Sequence, residues 1–215
     1  QQLWSGVRTA PACRVAFLAN STTISKLSTA GWTAFDRAVD YATSNCGQNM
    51  IRTIVGNGGT TAGADGAIAS AASIGEPWDV HTRPDGSLII VDYGNSMIRK
   101  VSPTGVLSTI AGTGQTGSQG DGGLATAARL NKPARVAIAA DGTMYIADSA
   151  NNKIRKIAPN GIISTFAGSG VAGFTGDNGQ AASARLRAPL GVGIAPNGDV
   201  YIADTSNHRV RKVNI

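Results

Sequence analysis

Aspartate and asparagine recur at a fixed spacing along most of this chain, and their oxygens are the side-chain groups best able to bind a cation. One set pairs an aspartate with an asparagine three residues later: Asp92 and Asn95, Asp148 and Asn151, Asp204 and Asn207. A second set places one aspartate in each glycine-rich stretch: Asp65, Asp121 and Asp177. Successive members of each set are 56 residues apart. Recurrence in register with such a period favours turn chemistry over catalysis.

Both sets are interpreted as structural turn and cap residues. Asp and Asn side chains hydrogen-bond to nearby backbone and tolerate turn conformations, which suits the Asp-x-x-Asn sets between predicted strands. Asp65, Asp121 and Asp177 precede small-residue runs, where a carboxylate is expected to accept hydrogen bonds from the free N–H groups of a short helical turn. Asp-Gly sequences also occur in calcium loops, but the alternating Asp/Asn spacing with a distal glutamate is absent. No metal and no cofactor are therefore expected.

The two histidines are the remaining candidates for catalysis or metal binding. His81 and His208 have no third histidine beside them and no metal-ligand spacing. No Gly-x-Ser-x-Gly or other nucleophile motif is present. The sequence therefore predicts no catalytic residue, and we do not expect an enzyme.

Basic residues are also distributed in a way that favours structure. Arginine recurs with the same period on a strand face shared with apolar residues, at Arg99, Arg155 and Arg211. We expect each to pack its aliphatic stem between neighbouring sheets rather than to bind phosphate. The net charge of +6 is spread over residues 1–47 and 48–215 without a run of like charges. This pattern predicts a mildly basic surface and no nucleic-acid partner.

The elements that carry these residues repeat with the period of 56. Residues 191–213, GVGIAPNGDVYIADTSNHRVRKV, read as three short strands joined by tight turns, and related stretches begin at Arg135 and Trp78. A further strand is predicted in the sequences IRTIVG from Ile51, LSTIAG from Leu107 and ISTFAG from Ile163. Four strands per unit is the content of one propeller blade. The predicted units are 48–103, 104–159 and 160–215.

Residues 1–47 do not match the repeat. They contain a predicted strand over 13–18 and a predicted helix from Ser28 to Cys46. Cys13 and Cys46 flank this helix and suit a disulfide, the alternative being two buried thiols in a reducing compartment. Asn20 begins a glycosylation sequon, so a glycan is expected there. Together these features favour an extracellular or cell-surface location, and no apolar stretch is long enough to span a bilayer.

The repeated motifs resemble the NHL repeat. They are Pro-x-Gly-Val at 189–192, Asn-Gly at 197–198, YIAD at 201–204 and NHRVRKV at 207–213. The Gly-Asp-x-Gly sequence at 176–179 resembles the extended units of long extracellular NHL arrays. The resemblance covers 48–215 and implies an all-β fold of NHL-type β-propeller blades, usually six to a ring. Three blades cannot close a ring, so we expect an open arc or completion by another subunit or segment.

This fold predicts a structural or interaction protein that assembles through its blades, into an oligomer or a filament. Two strands lie at its ends, Ile51–Val55 and Arg209–Val213, and unpaired strand edges recruit other strands. We expect the 209–215 edge to pair with Ile51–Val55 of a second copy or with a further blade. The resemblance implies two alternatives. One is a lyase-like enzyme with metal-bound histidines, and the other is an RNA-binding propeller with a basic, aromatic face.

Overall fold

The structure is a computed structural model that describes residues 51–215. Eleven strands in this range form three antiparallel sheets in chain order. The first sheet contains β1 (Pro77–Thr82), β2 (Leu88–Asp92), β3 (Met97–Val101) and β4 (Leu107–Ala111). The second contains β5 (Pro133–Ile138), β6 (Met144–Asp148), β7 (Lys153–Ile157) and β8 (Ile163–Ala167). The third contains β9 (Gly191–Ile194), β10 (Val200–Asp204) and β11 (Arg209–Val213).

The predicted all-β fold is confirmed, and so are the predicted strand positions between residues 77 and 213. The turn between the first two strands of each sheet contains a glycine with left-handed φ, namely Gly86 at 80°, Gly142 at 89° and Gly198 at 92°. Only glycine adopts this conformation without steric cost, which explains the repeated Asp-Gly and Asn-Gly pairs. No helix within residues 51–215 has the length and apolarity needed to cross a membrane.

The sheets are offset from the predicted sequence units by one strand. The unit boundaries after residues 103 and 159 fall between the third and fourth strands of a sheet. The strand predicted at Ile51–Val55 is absent, and this prediction was wrong. The reason is that this segment corresponds to β4 and β8, which pair with β3 and β7, whereas no preceding sheet exists within residues 51–215.

Several predictions lie outside the described residues. They are the strand over 13–18, the helix that begins at Ser28, the Cys13–Cys46 disulfide and the glycan on Asn20.

The core lies between successive sheets. One buried cluster joins β2 and β3 to the second sheet through Ile89, Val91, Val136 and Ile146. The next joins β6 and β7 to the third sheet through a matching set that includes Tyr145, Ile154, Val192 and Ile202. Side chains alternate between the two faces of a strand, so each sheet has a rear face toward the preceding sheet and a front face toward the following one. This is the stacking of propeller blades.

Three long loops precede the sheets: the first loop (56–76), the second loop (112–132) and the third loop (168–190). Each contains one 3₁₀ turn, at Ala69–Ala71, Ala125–Ala127 and Ala181–Ser183, while two further 3₁₀ turns, Ser149–Asn151 and Thr205–Asn207, follow β6 and β10. The second loop runs beside β8, where Ile163 receives a hydrogen bond from Gly122 N–H (2.8 Å) and donates to Gly123 C=O (3.0 Å). The first loop holds Leu107 of β4 in the same way. Each fourth strand is therefore held on both edges.

Candidate interaction site at the edge of the third sheet

The Asp-x-x-Asn sets form buried hydrogen-bond networks. In the second sheet, Asp148 accepts hydrogen bonds from the backbone N–H of Asn131 (2.7 Å) and from Asn151 Nδ2 (2.8 Å). Asp204 accepts equivalent bonds from Arg187 N–H and Asn207 Nδ2 (both 2.8 Å). Asp92 accepts them from Gly75 N–H and Asn95 Nδ2 (both 2.9 Å). Each network links the end of the second strand to the loop that enters the sheet.

Asp65, Asp121 and Asp177 do not cap the 3₁₀ turns, which corrects the capping prediction. The cap positions are occupied by Ile68, Leu124 and Gln180, and none makes a side-chain cap bond. Each aspartate instead accepts a hydrogen bond from Nη2 of the arginine in the third strand, from Arg99 (3.1 Å), Arg155 (2.6 Å) and Arg211 (2.6 Å). A buried guanidinium needs an anionic partner, whereas N–H groups at a turn can be solvated.

Arg155 makes two further contacts beyond this bond, whereas the sequence pattern predicted only the packing of its stem. It lies 3.3 Å from Asp148 Oδ2 and donates to the backbone carbonyl of Arg129 at 3.3 Å, in addition to its bond with Asp121. Burial raises the pKa of Asp148 to about 6, and the hydrogen bonds from Asn151, Asn131 and Arg155 only partly offset this effect.

The pKa of Asp121 is shifted in the opposite direction to that of Asp148. Partial burial acts to raise its pKa, but hydrogen bonds from Thr165 and Arg155 outweigh that effect and hold the pKa below its ordinary value.

The threonines that complete these aspartate sites were not predicted from the sequence. Thr109 Oγ1 donates to Asp65 Oδ1 at 2.8 Å, and Thr165 Oγ1 donates to Asp121 Oδ2 at 2.7 Å. Both threonines are the third residue of a fourth strand. The sequence does carry a pattern that could have indicated them, because LSTIA, ISTFA and IRTIV all have Thr as their third residue. In IRTIV this residue is Thr53.

A cleft of about 700 Å³ occupies the place beside β11 where the first two sheets have their fourth strand. Its walls are β11 and the third loop, including Phe174, Asp177, Val210 and Lys212. The guanidinium of Arg209 lies over the Phe174 ring, 3.8 Å from its centroid. Lys212 Nζ lies 3.4 Å from Asp199 Oδ2. The cleft therefore combines apolar surface with positive charge.

Equivalent side chains differ sharply in exposure at the two ends of the stack. On the front faces, Tyr145 and Ile154 are 3% and 0% exposed against the third sheet, but their counterparts Tyr201 and Val210 are 42% and 74% exposed. The same difference in exposure is found at the other end of the stack. Val80, on the rear face of the first sheet, is 61% exposed, whereas its counterpart Val136 is fully buried. Both end faces are thus built like interfaces between sheets.

One histidine lies in a strand and the other in a turn. His81 belongs to β1, and its Nε2 lies 3.1 Å from Asp79 Oδ2. His208 follows the last 3₁₀ turn with a left-handed φ of 56°. Among the side chains of residues 51–215, no group of three or more His, Cys, Asp or Glu could hold a metal ion.

One aromatic and basic group is brought together by the structure. The rings of Trp78 and Tyr93 are stacked with their centroids 3.8 Å apart, and Lys132 Nζ lies 4.6 Å from the centroid of the Tyr93 ring.

Comparison with known families identifies the repeat. A family model described as the teneurin NHL domain matches residues 113–173, and one described as the NHL repeat matches residues 186–213. This chain contains NHL repeats. The two matched ranges cover the second and third sheets, including the second loop. The networks of Asp121, Asp148 and Asp204 lie within the matched ranges.

Relatives of these NHL repeats occur in much longer proteins. The chain is 32% identical over 175 residues to protein SUPPRESSOR OF QUENCHING 1, chloroplastic, from Arabidopsis thaliana, and covers 16% of it. It is 28% identical over 191 residues to teneurin-1 from Gallus gallus, and covers 7% of it. Each match includes 77% of this chain. The NHL repeats of this chain thus span a small part of either relative.

The fold is also found in solved structures. A structural genomics protein of unknown function from Bacteroides thetaiotaomicron matches with a TM-score of 0.54 and 26% identity, over 60% of this chain and 32% of that one.

Proposed function

We propose that this chain is a protein-interaction module whose end faces bind further propeller blades, so that it acts as part of a larger assembly. The observation that carries the proposal is the exposure of Tyr201 and Val210 at positions that are buried wherever a following sheet is present. Apolar side chains in such a pattern are typical of an interaction surface. The similarity to teneurins, which contain an NHL domain, supports the same class of function.

The test is a charge substitution on the front face of the third sheet. In Val210→Asp, a carboxylate replaces an exposed apolar group, so we expect association with other chains to be lost while the fold is retained. Val171→Asp is the matched control, since Val171 is similarly exposed but lies in the third loop and outside the cleft. Sedimentation over a range of concentrations measures association. Equal behaviour of both variants would contradict the proposal.

The proposal includes an extracellular setting, with residues 1–47 as a separate disulfide-closed segment. It is supported by Cys13, Cys46 and the Asn20 sequon. Peptide mapping of the protein from its natural source, without reduction, should recover a Cys13–Cys46 peptide and a glycan on Asn20. Free thiols together with an unmodified Asn20 would place the protein in a reducing compartment.

A further inference from the structure

A second cavity, of about 600 Å³, lies between the second and third sheets, and we call it the junction cavity. Its lining comes from β5, β6 and β7 on one side, and from β9 and the turn that follows it on the other. Each of these strands is paired within its own sheet. The cavity therefore lies where two neighbouring sheets meet, and its volume is in the range of pockets that bind small molecules.

The hydroxyl group of Tyr145 opens into the junction cavity without a hydrogen-bond partner among the described residues. Tyr145 as a whole is only 3% exposed, and its ring is held edge-on by Phe166. The hydroxyl is not one of the unpartnered atoms that are sealed in the core, so the cavity gives access to it. Buried polar side chains normally have a hydrogen-bond partner. This hydroxyl is therefore left for a molecule that enters the cavity.

Lys156 supplies a positive charge beside this hydroxyl. It lies directly opposite Tyr145 in the pairing of β6 with β7, so the two side chains are on the same face of the sheet. The equivalent lysines of the other two sheets each have a carboxylate partner, at 4.0 Å for Lys100 and 3.4 Å for Lys212. Within residues 51–215, no carboxylate oxygen lies within 4.0 Å of Lys156 Nζ. Its ammonium group is available to an anion.

Asp141 adds a negative charge to the same cavity. Its two carboxylate oxygens accept hydrogen bonds from the backbone N–H and the hydroxyl of Thr143, both at 2.9 Å. These bonds, with a smaller contribution from the charge of Lys156, hold the pKa of Asp141 below its ordinary value. Burial and then the charge of Asp141 raise the pKa of Tyr145. At neutral pH the cavity thus presents a carboxylate, an ammonium group and a hydroxyl donor.

Apolar side chains form much of the remaining lining. Ile138 comes from β5 and Ile194 from β9, and both are partly buried on the clusters between the sheets. Pro196 lies in the turn that follows β9. A ligand that matches this lining has an apolar body and carries one anionic and one cationic group. An α-amino acid with an apolar side chain has this combination of groups.

The junction between the first and second sheets shows that the fold does not require these polar groups. Ile89 occupies the position equivalent to Tyr145, so that junction has no hydroxyl there. Its lysine, Lys100, is within salt-bridge distance of Asp85. The same strands therefore pack without an unpartnered hydroxyl or an unpaired lysine. A role in binding accounts for both groups at the second junction.

We propose that the junction cavity binds a free α-amino acid with an apolar side chain. The carboxylate of the ligand accepts hydrogen bonds from Lys156 Nζ and the Tyr145 hydroxyl, and its ammonium group binds Asp141. Its side chain packs between Ile138 and Ile194. This inference goes beyond the proposed function. The cavity is separate from the two end faces, so either proposal can fail without the other.

The ligand class is tested by isothermal titration calorimetry of the full chain with L-phenylalanine. N-acetyl-L-phenylalanine lacks the ammonium group, and L-phenylalaninamide lacks the carboxylate. We expect each of these two compounds to bind about tenfold more weakly or less, because one charge-assisted hydrogen bond is lost. Absence of binding by L-phenylalanine at millimolar concentration would overturn the proposal. Equal binding of all three compounds would do the same.

The position of the site is tested with Lys156→Met. Methionine keeps an unbranched apolar side chain and removes the charge, so we expect the affinity for L-phenylalanine to fall about ten- to a hundredfold. Lys100→Met is the matched control, since it changes the equivalent lysine of the first sheet and should leave the affinity unchanged. Equal affinities of the two variants would show that the amino acid binds elsewhere.

Tyr145→Phe tests the hydroxyl both with and without ligand. Phenylalanine keeps the ring and its packing on Phe166, and we expect the affinity for L-phenylalanine to fall about tenfold. In the absence of ligand the free energy of unfolding should not decrease, because the removed hydroxyl has no protein partner. A clear loss of stability in Tyr145→Phe would mean that the hydroxyl is bonded within the protein, which would contradict its role in binding.

Discussion

At the scale of single residues, the buried arginines determine how each loop is attached to its sheet. Arg99 and Arg155 are both fully buried, but Arg155 lies within salt-bridge distance of two carboxylates and Arg99 of one. Burial removes the hydration of a guanidinium, so its anionic partners must replace that water. Removing one member of such a pair is destabilising because the other is left buried without compensation.

We therefore expect Arg155→Ala to lower the free energy of unfolding by about 3–5 kcal/mol. Lys100→Ala is the control. Lys100 and its partner Asp85 are both well exposed, so the loss should be about 1 kcal/mol or less. Urea unfolding of the full chain, at a concentration where it is monomeric, measures both. Equal losses would show that burial does not set the strength of these pairs.

The raised pKa of Asp148 predicts a pH dependence of stability. Its pKa is about 6 in the fold and 3.8 for an ordinary aspartate, so the folded state binds more protons between these values. The free energy of unfolding should consequently fall by roughly 3 kcal/mol as pH rises from about 4 to about 6. Asp85, Asp121 and Asp141 have lowered pKa values, and they act in the opposite direction at lower pH.

The measurement is chemical unfolding at several pH values between 4 and 7, for the natural chain and for Asp148→Asn. Asparagine does not titrate, so the slope of stability with pH in this window should become much flatter. An unchanged slope would assign the titration to a different group.

At the scale of elements, neighbouring sheets are linked by a residue with left-handed φ after the second strand. Asn152, with φ of 53°, accepts a hydrogen bond from Ala188 N–H at 2.9 Å, and Ser96 accepts one from Lys132 N–H at 3.2 Å. Each bond runs from one sheet to the loop that enters the next. The sequence pattern did not indicate this link, because Ser, Asn and His occupy the equivalent positions 96, 152 and 208.

Two substitutions at Asn152 separate the contribution of this hydrogen bond from that of the left-handed backbone conformation. Asn152→Gly removes the hydrogen bond but tolerates the positive φ, and we expect a loss of about 1 kcal/mol. Asn152→Ala removes the same bond and also strains the backbone, so the loss should be about 2–3 kcal/mol. Thermal and urea unfolding compare the two. A glycine variant less stable than the alanine variant would contradict this account.

At the scale of the whole molecule, the same residue type has different roles along the stack. Tyr145 is buried between sheets and its ring packs edge-on against Phe166 with centroids 4.7 Å apart, whereas Tyr201 lies on the open front face. Tyr145→Ala should reduce stability by about 3–5 kcal/mol because it leaves a cavity. Tyr201→Ala should reduce the stability of the monomer by less than about 1 kcal/mol.

Calorimetry of both variants at low concentration checks this difference. The tyrosine pair also reports on assembly, because Tyr201→Ala should weaken association through the front face. A large loss of monomer stability in Tyr201→Ala would mean that the front face is already covered within one chain.

The blade fold could be predicted from the sequence alone. Its strands of four to six residues pair with the strands next to them in the chain, and glycine turns such as Asn197-Gly198 and the Asp-x-x-Asn pairs likewise depend on residues that are close in the chain. Local patterns encode such contacts directly. For the same reason the period of 56 residues was sufficient to place the strands of all three sheets.

Contacts between groups far apart in the chain could not be predicted and are seen only in the folded structure. The bond between Asp121 and Arg155 joins residues 34 apart, and Thr165 completes it from a neighbouring strand. A local pattern could not separate this arrangement from a helix cap, because the carboxylate is suited to both. The structure likewise showed that Ile51–Val55 is not a strand, since a strand requires a partner edge and a partner is a property of the assembled sheets.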